Sequence, residues 1–300
     1  MKNIIPRIAA VHDLSGIGRC SLTAAIPILS VMGMQVCPLP TAVLSTQTGG
    51  FEGYEFVDMT AHMKNIIEHW KTLGLKFDCI YSGFLGSEAQ ISIVSDFISD
   101  FRSEGQIIVV DPVFGDDGEI YDIFGEEIVE RMKELIRLAD VITPNITEAA
   151  FLLDKPCPER IDRSEIKDWL LKLSAKGPKT VIITSVPDSD NKNQTSVAAY
   201  DARLNRFWKV ACDFIPTNYP GTGDIFTSVL TGCILQGDSL PIAIERAVQF
   251  VSMAIRTTFG YQAPPREGVL IEKILQNLQV PITSSNSQRF KFFYKTTLFR

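Results

Sequence analysis

Gly221-Thr222-Gly223-Asp224-Ile225-Phe226-Thr227-Ser228-Val229-Leu230 is the stretch on which the reading of this chain turns. Two glycines lead into an apolar run with helical spacing. Glycine lets the backbone come close to a ligand, and the first amides of a helix point outward with the positive end of its dipole behind them. Together they make an anion site. Asp224 stands in the same turn, where the dipole favours its ionised form. An anion cradle beside a base is what phosphoryl transfer to an alcohol requires. The plainer alternative is an N-cap aspartate after a glycine turn, worth about 1 kcal/mol of helix stability.

Upstream of this turn, apolar runs at residues 7–11, 35–39, 78–81, 106–110, 141–143 and 180–184 read as strands. Helical patterns at about 21–32, 58–73, 87–103, 125–138 and 164–175 lie between them. Continuous apolar strands joined by helices mean a parallel sheet covered on both faces. Residues 195–200 and 206–212 read as an antiparallel hairpin at one edge, and 224–235, 239–257 and 269–278 as closing helices. The expected fold class is therefore α/β, a doubly wound and mostly parallel sheet. Residues 1–280 read as a single domain. Residues 281–300 change character, with Ser284-Ser285-Asn286-Ser287 before an aromatic, basic end, and their role is open.

Doubly wound sheets bind ligands at the carboxyl ends of their strands. The first strand is followed by His12-Asp13-Leu14-Ser15-Gly16-Ile17-Gly18, the third by Ser82-Gly83-Phe84, and the fourth by Asp111-Pro112-Val113-Phe114-Gly115-Asp116. The fifth is followed by Pro144-Asn145-Ile146-Thr147-Glu148 and the sixth by Ser185. Any one of these reads as a turn or a cap. Five on one sheet edge, with Gly221–Asp224 beside them, point to one cleft with an acidic, cation-binding side. Asp111 and Asp116 offer hard oxygens suited to Mg²⁺ held mostly by phosphates and water. Glu148 lies three residues after Asn145, so both reach one ion or its waters. The same spacing is also a capping pattern, and the two readings are compatible.

The bulk numbers exclude other classes. The chain has 300 residues and a net charge of −6, without the basic surface of a nucleic-acid protein. Its six cysteines include no Cys-x-x-Cys pair and mostly sit in apolar runs, a reduced, intracellular pattern. No signal peptide and no run of 18 apolar residues is present, so a cytoplasmic protein without membrane spans is expected. Gly16-Ile17-Gly18 is followed by Ser21 where a dinucleotide fingerprint needs a third glycine, which argues against a nicotinamide enzyme. His62 and His69 are spaced wrongly for a metal pair on one helix and read as structural or surface residues.

The set Asp111–Asp116, Ile142-Thr143-Pro144-Asn145-Ile146-Thr147-Glu148, Ile183-Thr184-Ser185 and Gly221–Asp224, with Tyr81-Ser82-Gly83-Phe84-Leu85-Gly86-Ser87, resembles the ribokinase-like superfamily. Within it the chain is similar to the pyridoxal (vitamin B6) kinases over roughly residues 7–278. The resemblance implies ATP-dependent phosphorylation of the 5′-hydroxymethyl group of pyridoxal, pyridoxine or pyridoxamine by a homodimer without a separate lid domain. It implies Asp224 as the base, the Thr222, Gly223 and Asp224 amides as the anion hole, and Gly221 as part of the same catalytic turn. Asp111, Asp116, Thr143, Asn145, Glu148, Thr184, Ser185, Thr222, Gly223 and Phe226 would serve ATP. Asp111, Asp116 and Glu148 would serve Mg²⁺, and a monovalent cation such as K⁺ often assists.

Asp13, Thr48, Phe84 and Asp224 would meet the vitamer. Asp13 stands where many such kinases carry Ser, and Phe84 where a Tyr is common. An ionised Asp13 would favour a vitamer that offers a donor; alternatively, it only caps the turn through Ser15-Gly16. Residues 12–18 also resemble the hydroxymethylpyrimidine kinases of thiamine synthesis, which usually carry Cys where this chain has Asp224. A hydroxymethylpyrimidine or sugar kinase is thus one alternative. A non-catalytic B6-binding protein is another, and the intact Asp224 and acidic side speak against it.

Overall fold

The computed structural model describes residues 4–187, 194–213, 219–279 and 296–299. The chain begins with β1 (Arg7–Ile17), α1 (Ser21–Val31), β2 (Gln35–Thr46), β3 (Phe56–Asp58) and α2 (Thr60–Thr72). β4 (Cys79–Ser82), α3 (Glu88–Phe101) and β5 (Ile107–Val110) follow, then the short β6 (Gly115–Asp116) and β7 (Glu119–Ile120). Next come α4 (Glu127–Ile136), β8 (Val141–Ile142), α5 (Ile146–Leu152), α6 (Arg163–Ala175) and β9 (Thr180–Pro187). β10 (Gln194–Asp201), β11 (Arg206–Asp213), α7 (Thr222–Gln236), α8 (Leu240–Gly260) and β12 (Thr296–Phe299) complete the order.

Ten strands form one sheet in the order β12-β11-β10-β9-β8-β5-β4-β1-β2-β3. From β2 to β9 the pairs are parallel; the β9–β12 side and β3 are antiparallel. The doubly wound sheet and its edge hairpin are as expected. The strand order reverses between β1 and β4, so their connections leave towards opposite faces and open a crevice there. One core packs α2 to α6 against one face of the sheet, with Trp169, Phe97 and Phe114 buried in it. The other packs α1, α7 and α8 against the opposite face.

Several boundaries differ from expectation. β1 and β2 run on past residues 11 and 39 because they pair with each other as far as Ile17 and Thr46, with a register shift at His12/Leu14. The polar, glycine-containing segment after Val11 is therefore a bulged strand, not a loop. Residues 269–278 do not form an α-helix. Short 3₁₀ turns at Ile271–Lys273 and Leu275–Gln279 replace it. Their bonds run from the Ile274 amide to the Ile271 carbonyl and from the Asn277 amide to the Ile274 carbonyl. Ile271 and Ile274 are both buried at that three-residue spacing, which a 3₁₀ turn aligns on one side. Most of 281–300 lies outside the described residues, and Thr296–Phe299 adds an edge strand to β11.

Candidate active site

Gly221 caps the N-terminus of α7, and its φ of 83° is left-handed. A Cβ there would lie 2.2 Å from the Arg19 carbonyl oxygen, so only glycine fits. At Gly223 a Cβ would meet nothing within 4 Å. That glycine is not required by packing. It leaves open space over the first amides of α7, where an anion would sit. Thr222 Oγ1 donates to the Tyr219 carbonyl at 3.2 Å, which closes the turn.

Asp224 lies in the first turn of α7, and its side chain is 12% exposed. Oδ2 accepts the Ser21 amide at 2.8 Å. Ser21 opens α1 with φ +47°, a strained conformation for a serine, so a second helix N-terminus is aimed at this carboxylate. The sequence reading expects the dipole to keep Asp224 ionised. The structure corrects it: burial pushes Asp224 up to about 8, and Asp111 and Asp13 add to this against the Ser21 amide. Desolvation outweighs the helix ends because the carboxylate is taken out of water, and repulsion from Asp111 and Asp13 adds to it.

Thr227, one turn further along α7, lies 3.1 Å from Asp111 Oδ2 and 3.0 Å from Thr143 Oγ1. One helix therefore presents Asp224 and tethers the acidic side, since residues three apart share a face. Burial pushes Asp111 up to about 7, opposed by its bonds to Thr143 and Thr227. Glu148 is buried and raised well above the carboxylate range, first by burial and then by Asp111. Its Oε1 and Oε2 accept the Phe114 amide at 3.2 Å and the Asn145 amide at 2.8 Å, while Asn145 Oδ1 accepts the Glu148 amide at 2.9 Å. The capping box is thus formed, and Glu148 clamps the turn after β5. Asp116 keeps solvent contact on the small β6–β7 hairpin, and partial desolvation, with the Asp117 charge beside it, raises it too.

Among the described residues no three His, Cys, Asp or Glu side chains gather into a ready metal cage. The donor set nevertheless suits Mg²⁺. Asp111 and Asp116 are oxygen donors that both lie close enough to Glu148 and Tyr121 to act on them electrostatically, and Mg²⁺ takes one or two carboxylates plus phosphates and water.

Thr184 lies inside β9 as expected, and Ser185 lies inside it too rather than after it. The β9–β10 register slips there, and Ser185 has φ +55°. Such a bulge turns residues out of the ladder beside a site. Thr184 bridges to Asn145, so both reach the same edge. Phe226 is 5% exposed in the core beneath α7 and offers a nucleotide little surface, contrary to its expected part in ATP binding. Thr48 is exposed in the loop after β2, next to Gln47, whose Nε2 donates to the Arg266 carbonyl at 2.7 Å. Phe84 is half-buried, its ring 5.8 Å from that of Phe124. Asp13 is 6% exposed and accepts from Ser15 Oγ at 2.9 Å; both lie within the bulged β1, so the turn that the capping alternative expects is absent. His62 and His69 are exposed on α2, as read from their spacing.

Sequence reasoning missed His12, Ser21, Tyr81 and Thr227. Tyr81 reaches the Asp224 carbonyl through its hydroxyl at 3.4 Å, and His12 lies against Asp224. His12 and Tyr81 stood inside quoted motifs, and Thr227 lay three residues from Asp224. Nothing local marked Ser21.

A doubly wound sheet that gathers carboxylates at its strand ends, opposite a glycine-led helix N-terminus, is the scaffold of an α/β enzyme that handles anions. The chain belongs to the phosphomethylpyrimidine kinase family, whose sequence model matches residues 21–266. A Bacteroides thetaiotaomicron protein assigned to phosphomethylpyrimidine kinases, crystallised with pyridoxal, is 54% identical, with a TM-score of 0.91 over 98% of this chain and 100% of that one. Pyridoxal kinase from Lactobacillus plantarum is 31% identical, with a TM-score of 0.83 over 92% of this chain and 97% of that one. Human pyridoxal kinase is 26% identical over 258 residues, 80% of this chain and 82% of that one. The resemblance to pyridoxal kinases read from the motifs is borne out.

Proposed function

We propose that this chain transfers the γ-phosphoryl group of ATP to the 5′-hydroxymethyl group of a B6 vitamer. The observation that carries the reading is Asp224: a buried carboxylate at the open, glycine-led start of α7, in a chain 54% identical to one crystallised with pyridoxal. Asp224 takes the hydroxyl proton. The first amides of α7, at Thr222, Gly223 and Asp224, stabilise charge on the transferring phosphoryl oxygens. Asp111 and Asp116 would hold Mg²⁺, with Glu148 fixing the turn that carries them. When bound, the ion neutralises charge on the ATP phosphates. Thr143, Asn145, Thr184 and Ser185 line the ATP side, and Thr48 and Phe84 the vitamer side. K⁺ would assist at the phosphates.

Residues 1–280 act as one kinase domain built on the single large sheet. A homodimer fits the apolar residues left exposed at one end of that sheet, Ile17, Val43, Phe56 and Val57. A cytoplasmic setting fits the buried thiols of Cys20, Cys79 and Cys233, and no helix among the described residues is long and apolar enough to cross a membrane.

The second reading is a hydroxymethylpyrimidine kinase, favoured by the description of the matching family. ADP release with pyridoxal, pyridoxine, pyridoxamine and hydroxymethylpyrimidine separates the two. Turnover of at least one vitamer above hydroxymethylpyrimidine is expected. Turnover of hydroxymethylpyrimidine alone would establish the second reading instead, and binding of pyridoxal without ADP release from any substrate would make the chain a binding protein.

A further inference from the structure

His12 is 0% exposed, and neither of its ring nitrogens has a hydrogen-bond partner. Asp224 Oδ1 is equally sealed from solvent and equally unpartnered. These two orphans face each other, with Nδ1 3.8 Å from Oδ1, just beyond hydrogen-bond range. An unmet buried polar atom costs about 1–3 kcal/mol, so two of them left adjacent ask for a reason. The ring has little freedom to turn away. It stands edge-on to Tyr81 with centroids 4.3 Å apart, and a Cβ on Gly83 would come within 2.2 Å of Nδ1. Burial drives the imidazole down to about 3, so it is neutral and carries one N–H and one lone pair. On the other side of the carboxylate, the Ser21 amide holds Oδ2.

We propose that His12 is a positioning residue for the base: Nδ1 closes on Asp224 Oδ1 when the cleft fills, and so fixes Oδ2 towards the substrate hydroxyl. The two carboxylate oxygens then have separate tasks. Oδ1 is anchored inward by β1, and Oδ2, steadied by α1, receives the proton. Asp13, Asp111, Tyr81 and Cys20 surround the pair, and none of them takes the place of an imidazole nitrogen at Oδ1.

This inference rests on Asp224 being the base, and the test separates the two. His12→Phe keeps the ring volume and removes both nitrogens, while His12→Gln restores a donor. With folding checked by thermal unfolding, His12→Phe should lower kcat about tenfold or more, equivalent to about 1.4 kcal/mol, and leave both KM values within about threefold. His12→Gln should recover most of kcat. On an Asp224→Asn background, His12→Phe should add no further loss. In the unsubstituted protein, the Nδ1 nitrogen resonance of His12 should move on addition of Mg²⁺, ADP and pyridoxal, a readout that does not need the variants to fold.

A folded His12→Phe protein with wild-type kcat, equal losses in the Phe and Gln variants, full additivity with Asp224→Asn, or an unmoved Nδ1 resonance would each overturn the inference. Near-normal kcat in Asp224→Asn would instead withdraw the base itself. A deep Asp224→Asn loss beside an unaffected His12→Phe withdraws only the role of His12.

Discussion

At the scale of the residue, the site depends on a carboxylate held away from the water that would normally keep it acidic. Burial raises Asp224 to about 8, so its basic form is lost as the pH falls below that value. A base acts only when ionised, and kcat/KM reports the ionisation of the free enzyme. The acid limb of kcat/KM should therefore lie far above the ordinary carboxylate range, towards 8. A profile flat down to about pH 5, near where an unperturbed Asp titrates, would contradict the burial argument.

Asp13 is the instructive neighbour. The sequence shows an acid at a strand end and leaves ring contact and turn capping both open. The structure turns its carboxylate onto Ser15 inside the protein. Asp13→Ala should therefore lower the melting temperature and leave the ranking of kcat/KM among the three vitamers unchanged. A reordered ranking would restore Asp13 as the selector. Residue types at strand ends were legible in the sequence. Their partners were not, because the Ser21 amide that holds Asp224 comes from 203 residues away.

At the scale of the element, the two glycines that open α7 do different work. Gly221 adopts a left-handed φ against the Arg19 carbonyl, whereas Gly223 faces open space. Gly221→Ala should destabilise the fold by about 1–2 kcal/mol or more, from the backbone conformation alone. Gly223→Val should leave the melting temperature nearly unchanged and cut kcat by about 10²–10³, the loss typical of one missing oxyanion donor. If Gly223→Val keeps more than about a tenth of the activity, the cradle lies elsewhere.

The start of α7 was legible because glycine and an apolar helical period mark it locally. The full lengths of β1 and β2 were not. Asp13, Ser15 and Gly16 read as turn residues, and only pairing with β2 keeps them extended. β3 is three exposed residues at a sheet edge and carries no pattern of its own. The 3₁₀ turns near the end of α8's connection share their apolar spacing with an α-helix, so period alone could not separate them.

At the scale of the whole molecule, the topology brings acidic groups from separate connections to one sheet edge. Asp111 follows β5, Asp116 lies on the β6–β7 hairpin, and Glu148 lies in α5, with Thr227 of α7 tying Asp111 in from the far face. Such a gathering of like charge is unfavourable until a cation joins it. Asp116→Ala should raise the Mg²⁺ concentration for half-maximal activity more than it raises KM for pyridoxal. Glu148→Ala should do the same and also lower the melting temperature, because two backbone amides lose their acceptor. An unchanged Mg²⁺ dependence in both variants would count against this assignment. The sheet class and the shared edge could be read from alternating apolar runs, but the reversal of strand order between β1 and β4, which opens the crevice, could not.

The central claim is that the carboxylate at the start of α7 removes the proton from the vitamer hydroxyl. The most direct test is the single-turnover rate of phosphoryl transfer from ATP to pyridoxal in Asp224→Asn, with ATP affinity measured on the same protein. Asparagine keeps the shape and removes the base. The rate should fall by about 10²–10⁴, the usual contribution of a general base, while ATP binding is largely kept. A well-folded Asp224→Asn protein that transfers the phosphoryl group at near the wild-type rate would contradict the account.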